Sequence, residues 1–447
     1  MASISMTLSR FFSRPSHGET WRLAWPIILS NSSVPLLGAV DTAVVGHLPD
    51  PHYIGSVAIG ALIFSFLYWG FGFLRMGTTG FIAQAAGEGD ANEVRAILAR
   101  AMLLSLGISV LILLAQGVVL WLAMFLIDGS DLVEAGASRY FSIRVWGAPA
   151  VLANYALMGF FIGIRETRAA LTVQIFMNGL NVILDLVFVM GLDWDVGGVA
   201  AATAISETLA VGLGLLLARR HLARLGGVWQ KSAILALAKL SRLLAVNLDI
   251  FIRTILLIFA FSYFTAEAAK QGDVTLAAIA VLMNFMQFIA FGLDGFAFAA
   301  EGLVGTAIGA RKPEKLREIV YVSSFWALVV AGLYSLVYLV FGTAIIDLLT
   351  GIPEVRTVAY GYLPWLIVAP LISIWSYQLD GIFIGAVQSK EMRNGMIISF
   401  IFYMIAMKVF GDIWGTNGLW AALMLFMGTR AVTLALVYPR VERSAMR

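Results

Sequence analysis

Twelve apolar runs, each about 20 residues or longer, constrain this chain more than any other feature. A bilayer core offers no water to backbone N–H and C=O groups, and a helix satisfies them within its own segment. The runs therefore predict an all-α polytopic membrane protein with twelve transmembrane helices. They lie at about 21–46, 54–86, 94–127, 134–163, 169–190 and 197–218, then 240–264, 275–308, 316–346, 357–386, 394–411 and 416–438. Charged residues make up 13% of the chain, against about 25% in soluble domains, and they gather between the runs.

The distribution of charge in the loops gives an orientation. One set of loops is acidic, with Asp50, Asp128 to Glu134, Asp193, Asp195, Glu267 to Asp273, and Asp347. The opposite set holds Arg10, Arg14, Arg95, Arg165, Arg168, the cluster Arg219, Arg220, Arg224 and Lys231, Arg311, Lys312, Lys315, Arg317, Lys390, Arg393, Arg440 and Arg443. The positive-inside rule places that second set, with both termini, in the cytoplasm of a plasma (inner) membrane protein. The expected organisation is a tail at 1–20, a six-helix lobe at 21–218, a cytoplasmic linker at 219–239, a second six-helix lobe at 240–438 and a tail at 439–447. Residues 1–20 lack an apolar core, so they are not a signal peptide.

The two halves repeat. Gly159-Phe160-Phe161-Ile162-Gly163 returns as Gly381-Ile382-Phe383-Ile384-Gly385, an offset of 381 − 159 = 222. The same offset relates Gly80 to Gly302, Gly87 to Gly309, Arg95 to Arg317 and Ile97 to Ile319. Six spans per half start both halves on the same side, so the repeats are parallel. Two such halves imply a central cleft and alternating access by rocking.

Polar residues inside the runs mark the candidate site. A carboxylate within a membrane helix is costly and is kept mainly where it faces a bundle interior or watery cavity. Asp41 lies inside the first run, about a turn before its end, on one helical face with Asn31 and Gly38, in a helix that also holds Pro26 and Pro35. In the fifth run Gln174, Asn178, Asn181 and Asp185 are spaced 4, 3 and 4 apart, again one face. The fourth run adds Tyr140, Arg144 and Asn154, and the sixth Thr203 and Glu207. Taken singly, Asn, Thr and Tyr can serve as interhelical hydrogen-bond glue. Asp41 with Asp185 is harder to explain so. Two carboxylates brought close in low dielectric repel when both are charged, so such a pair can hold and release a proton or bind Na⁺ between oxygens. In the second half Asn284, Gln287, Asp294 and Glu301 share a face, and Arg253 has Asp249, Asp294 and Asp380 as possible partners. That half reads mainly as ion-paired, structural or substrate-lining, with Arg253, Asp294 and Asp380 as its candidates.

Other chemistries are missing from the sequence. There is no Cys, hence no disulfide or thiolate metal site. The four His lie outside the predicted spans, and no Gly-x-x-x-x-Gly-Lys-Ser/Thr loop for ATP occurs. No His–Glu or Gly-x-Ser-x-Gly pattern supports an intramembrane enzyme. No cofactor is expected beyond a coupling ion.

Val34-Pro35-Leu36-Leu37-Gly38, Val40-Asp41-Thr42-Ala43-Val44, Gly46-His47-Leu48, Gly159 to Gly163 and Leu379-Asp380-Gly381-Ile382-Phe383-Ile384-Gly385 together resemble the multidrug and toxic compound extrusion (MATE) family, in its DinF-like branch. The resemblance covers nearly the whole chain. It implies export of small organic, often cationic or amphipathic compounds by antiport with H⁺ or Na⁺, by a protein expected to be monomeric. It implies a coupling site of Asp41, Tyr140, Asn181, Asp185 and Thr203, with a helix bend at Pro26. Na⁺, if used, would sit at Asp41, Asn181 and Asp185. A lipid-linked precursor flippase is the alternative, ranked lower because Arg144 and Arg253 are the main cations within the runs.

Overall fold

The computed structural model describes residues 14–46, 48, 50–126 and 129–446. Residues 1–13 of the expected N-terminal tail, His47, Asp128 and Arg447 lie outside them. The described residues are helical, with no strand among them. The long helices are α1 Ser16–Val45, α2 His52–Glu88, α3 Ala91–Leu126, α4 Asp131–Gly163, α5 Thr167–Gly191, α6 Asp195–Leu225, α7 Leu237–Ala269, α8 Asp273–Gly309, α9 Pro313–Leu349, α10 Pro353–Gly385, α11 Ser389–Trp414 and α12 Thr416–Val437. All but α1 are long and apolar enough by themselves to cross a membrane. Most helices run a few residues past the apolar runs at each end. His17, His52 and His221 therefore fall in terminal turns instead of loops.

Three helices are locally rewound. A 3₁₀ turn at Gly70–Gly72 interrupts α2, another at Val145–Gly147 interrupts α4, and a π turn at Leu186–Gly191 closes α5 directly after Asp185. Each such turn rotates the side chains that follow it.

The chain forms two compact units. One contains Leu29–Leu244. The other contains Ala245–Arg447 together with the chain up to Ile28, so α1 contributes its first turns to the second half of the sequence. There Trp21 packs edge-on against Phe296 and Trp326, with ring centroids 5.2 Å apart in each pair. His17 Nδ1 accepts a hydrogen bond from Trp326 Nε1 at 2.9 Å.

The repeat is visible in three dimensions. In the first unit α4 lies against α2 so closely that a Cβ on Gly159 would sit 2.5 Å from Arg75 O, and one on Gly163 3.0 Å from Thr79 O. In the second, α10 lies against α8 so closely that a Cβ on Gly381 would sit 2.3 Å from Ala297 O, and one on Gly385 2.5 Å from Glu301 O. Each glycine and each carbonyl is displaced by 222 from its counterpart. Only glycine lets two helix backbones approach this far. Positive φ angles repeat as well. Gly89 (φ 76°) matches Arg311 (54°), Arg165 (62°) matches Val387 (55°), and Asp193 (54°) matches Gly415 (55°).

Candidate coupling and substrate site

In α5 the predicted stripe faces inward. Asn178, Asn181 and Asp185 are buried, Asp185 completely, while Ile175, Phe176 and Ile183 of the same helix are exposed. Gln174 Nε2 donates to Asn178 Oδ1 at 2.9 Å, and Asn178 Nδ2 donates to Ser33 Oγ of α1 at 2.8 Å. The Ser33 hydroxyl donates in turn to Ser30 O at 2.6 Å. The Ser33 hydroxyl thus bonds both to its own helix and to α5, and α1 continues through the polar Ser30–Ser33 stretch without a break.

One turn further along, the Asn181 amide lies between Asp185 and Thr203. With its nitrogen toward Asp185 it donates to Oδ2 at 3.2 Å, and its oxygen accepts from the Thr203 backbone N–H at 3.3 Å. This orientation is assigned from the hydrogen-bond network. Asp41, half-buried on α1, brings its carboxyl within hydrogen-bonding reach of Asp185. Among the described residues no donor reaches Asp185 Oδ1. Two facing carboxyls, one with an oxygen that lacks a donor, suit a proton or a small cation held between oxygens.

The rest of the cluster is organised by an ion pair. Arg144 of α4 donates to Glu207 Oε1 of α6 at 3.0 Å and to the Tyr140 hydroxyl at 3.0 Å. Its guanidinium lies over the Phe64 ring, 5.0 Å from the centroid. Tyr140 fits because Gly60 has no side chain: a Cβ there would stand 2.4 Å from the ring. Asn154 Nδ2 donates to the Glu207 backbone carbonyl at 3.1 Å. Arg144 is also within electrostatic reach of Asp41. The unit thus gathers Asp41, Asn178, Asn181, Asp185 and Thr203 in one cluster and Tyr140 and Asn154 around Arg144 and Glu207. The residues of this pair were visible as polar positions. Their pairing across α4 and α6 was not, because spacing along one helix carries no information about the neighbouring helix. Pro26, the proposed bend, lies inside continuous α1 just before Ile28, where that helix passes from one unit to the other.

In the second unit Arg253 pairs with Asp380, and Arg430 of α12 reaches the same carboxylate oxygen at 2.6 Å. All three are buried. Asp249, another expected partner of Arg253, instead accepts from Arg393 at 2.6 Å and Ser389 at 2.8 Å. Asp294 lies near Tyr377, which is also within electrostatic reach of Asp380, Arg253 and Arg430. Arg430 corrects the expectation that Arg144 and Arg253 are the main cations within the spans. It sits in the middle of an apolar run, where nothing in the sequence flags a partner.

The MatE family profile matches residues 26–187 and 250–410. The chain belongs to the MatE family. It is similar to DNA damage-inducible protein F of Escherichia coli K12, 39% identical over 433 residues, covering 97% of this chain and 94% of that protein. This places it with the DinF-like members. Against the probable multidrug resistance protein NorM of Bacillus anthracis it is 23% identical, covering 94% of each. Among solved structures, a MATE transporter in its bent conformation aligns with a TM-score of 0.84 at 18% identity, over 98% of this chain and 99% of the other. A MOP superfamily transporter from Pyrococcus furiosus aligns at 0.82 and 18%, over 98% of each. These structures share the fold of this MatE chain. It is a multi-pass membrane transporter and not an enzyme.

Proposed function

We propose that this MatE protein is a secondary antiporter that exports small organic, often cationic compounds in exchange for H⁺, or for Na⁺. The reading places the protein in the plasma membrane as a monomer, both termini cytoplasmic. The observation that carries it is the approach of the Asp41 and Asp185 carboxyls, with Asn181 bridging Asp185 to Thr203 and Asp185 Oδ1 lacking a donor among the described residues. At the acidic outer face a proton enters this pair and relieves the repulsion between two buried negative charges. The neutral face of α1 then repacks against α5, with the change taken up near Pro26, and the space that held substrate shrinks. Opening to the more alkaline cytoplasm releases the proton and restores an anionic surface that attracts a cation. Proton and substrate thus occupy the same carboxylates in turn, which makes the exchange obligatory. If Na⁺ is the coupling ion, the oxygens of Asp41, Asn181 and Asp185 are its ligands.

Counterflow in proteoliposomes, with a pH gradient or a Na⁺ gradient imposed separately, tests both halves of this reading. Asp41→Asn is expected to fold and insert but to lose gradient-driven export, as is Asp185→Asn. Full proton-driven export by purified, reconstituted Asp41→Asn protein would remove Asp41 from the mechanism. Export by wild type on Na⁺ alone would keep the site and change the ion.

A second reading, transport of an anionic lipid-linked precursor, draws on the convergence of Arg253 and Arg430 on one carboxylate. Competition by an isoprenyl diphosphate in the same liposomes separates it from drug export.

A further inference from the structure

In the first unit, the turn between α2 and α3 and the first turns of α7 enclose a cavity of about 180 Å³. Six charged side chains line it: Glu88 and Asp90 at the turn, Glu93 and Arg100 on α3, and Lys239 and Arg242 on α7. Four of them have partners. The Glu93 carboxylate accepts from Arg100 at 3.1 Å and from Lys239 at 2.6 Å. Asp90 Oδ1 accepts from the Glu93 backbone N–H at 2.9 Å and so caps α3. Glu88 and Arg242 are exposed, and neither has an ion partner among the described residues. Arg242 lies over the Phe81 ring, 5.4 Å from its centroid.

Three carboxylates and three cations thus face one space. A simple anion entering it is repelled by the first set, and a simple cation by the second. A headgroup that carries both charges suits the two side chains left over, with a phosphate for the Arg242 guanidinium and an ammonium for the Glu88 carboxylate. The segment leading into α7 adds a membrane contact. Val228, Trp229, Leu235 and Leu237 are exposed, Leu237 by 80%, with Lys231 and Lys239 among them. Exposed apolar side chains interspersed with a Trp and lysines mark a segment that lies in the headgroup layer. We propose that this cavity seats the headgroup of phosphatidylethanolamine, its phosphate on Arg242 beside Lys239, its ammonium on Glu88, and its acyl chains along the exposed leucines. The lipid is a resident ligand and not cargo, and no residue of the Asp41–Asp185 cluster lines its seat. Phosphatidylcholine matches the charges but brings no ammonium N–H to Glu88. Phosphatidylglycerol brings the phosphate and no cation.

The test uses the purified full-length protein in mixed micelles with equimolar phosphatidylethanolamine, phosphatidylcholine and phosphatidylglycerol of one acyl composition. Retained lipid is counted by native mass spectrometry. Wild type is expected to keep phosphatidylethanolamine about 10-fold over either competitor, the value of one charge-assisted hydrogen bond. Glu88→Gln should bring it down to the level of phosphatidylcholine. Arg242→Gln should weaken both zwitterionic lipids together, about threefold to tenfold, because both present the phosphate. Glu88 and Arg242 are exposed, so both variants should fold, with the unfolding temperature of the lipid-free protein unchanged. Lys390→Gln, a basic position outside the cavity, should leave retention as in wild type. Equal retention of the ethanolamine and choline lipids by wild type overturns the proposal, as does a Glu88→Gln protein that keeps the preference. A loss with Lys390→Gln as large as that with Arg242→Gln overturns it too, since general surface charge would then suffice. Glycerophosphoethanolamine, the same headgroup without acyl chains, should fail to displace the lipid at equal concentration, and displacement would make the cavity a site for a free metabolite and overturn the lipid seat.

Discussion

Adding one methyl group at Gly381 tests the tightest helix–helix approach in the second unit. An alanine Cβ there would lie 2.3 Å from Ala297 O, 2.8 Å from its carbonyl carbon and 2.9 Å from its Cα. The first distance is 3.0 − 2.3 = 0.7 Å inside the separation that Cβ atoms essentially never breach. The obstacle is helix backbone, so no rotamer change relieves it and α8 must move away from α10. Overpacking of this kind costs about 1–3 kcal/mol, and a backbone obstacle argues for the upper end. The intrinsic helical gain of Gly→Ala returns about 0.5–1 kcal/mol. The net expectation is a loss of about 2 kcal/mol. Gly361, in the same helix α10, is the control: nothing lies within 4 Å of its Cβ position, so Gly361→Ala keeps only the gain. The two alanine variants should therefore shift the apparent unfolding temperature of the detergent-purified protein in opposite directions. A Gly381→Ala protein that unfolds at or above Gly361→Ala would refute the reasoning. Gly159→Ala, facing Arg75 O at 2.5 Å, should behave like Gly381→Ala.

Removing either arginine from the Asp380 cluster is expected to cost stability, not ion specificity. Arg253→Ala and Arg430→Ala each remove one of the two arginines on Asp380 and leave a cavity and lost hydrogen bonds in a buried cluster, a loss that fluorescence-detected size exclusion would register as reduced folded yield. A stable Arg253→Ala protein with an altered coupling ion would contradict this. Val387 is a β-branched residue at φ 55°, where an L side chain pays about 1–2 kcal/mol. Val387→Gly is accordingly expected to raise the unfolding temperature, and a fall would show that its side-chain packing matters more. Arg95 donates to Leu222 O at 2.7 Å and to Gly226 O, while Arg100 donates to Ala233 O at 2.8 Å and Ile234 O at 3.2 Å. Together they hold the segment after α6 against α3. Arg95→Ala should speed proteolysis between residues 226 and 236, and an unchanged cleavage rate would show that the segment is held by other contacts.

The helices were legible in the sequence because hydropathy and length suffice when the solvent is lipid. The Gly159 and Gly381 motifs were legible too, since a close backbone approach demands glycine itself. The repeat at the turns was not. Gly89 and Arg311, Arg165 and Val387, and Asp193 and Gly415 share a positive φ and no residue type. There the chain geometry persists although three of the six positions favour it only weakly. Spacing on α5 showed which face Asn178, Asn181 and Asp185 would present, because they lie on one helix. What each side chain meets depends on neighbouring helices, so the bond of Asn178 to Ser33, the pairing of Arg144 with Glu207 and that of Arg430 with Asp380 required coordinates.

The sharing of α1 between the two units has a consequence for how the protein is made. Trp21 is synthesised early, yet its ring partners Phe296 and Trp326 follow 296 − 21 = 275 and 326 − 21 = 305 residues later. At about 5–20 residues per second, the first turns of α1 wait some tens of seconds for their neighbours. During that interval an apolar segment with two buried-to-be aromatic contacts must be sheltered by lipid or by the insertion machinery. A chain cut in the linker would leave that early segment on the fragment that lacks its packing partners Phe296 and Trp326.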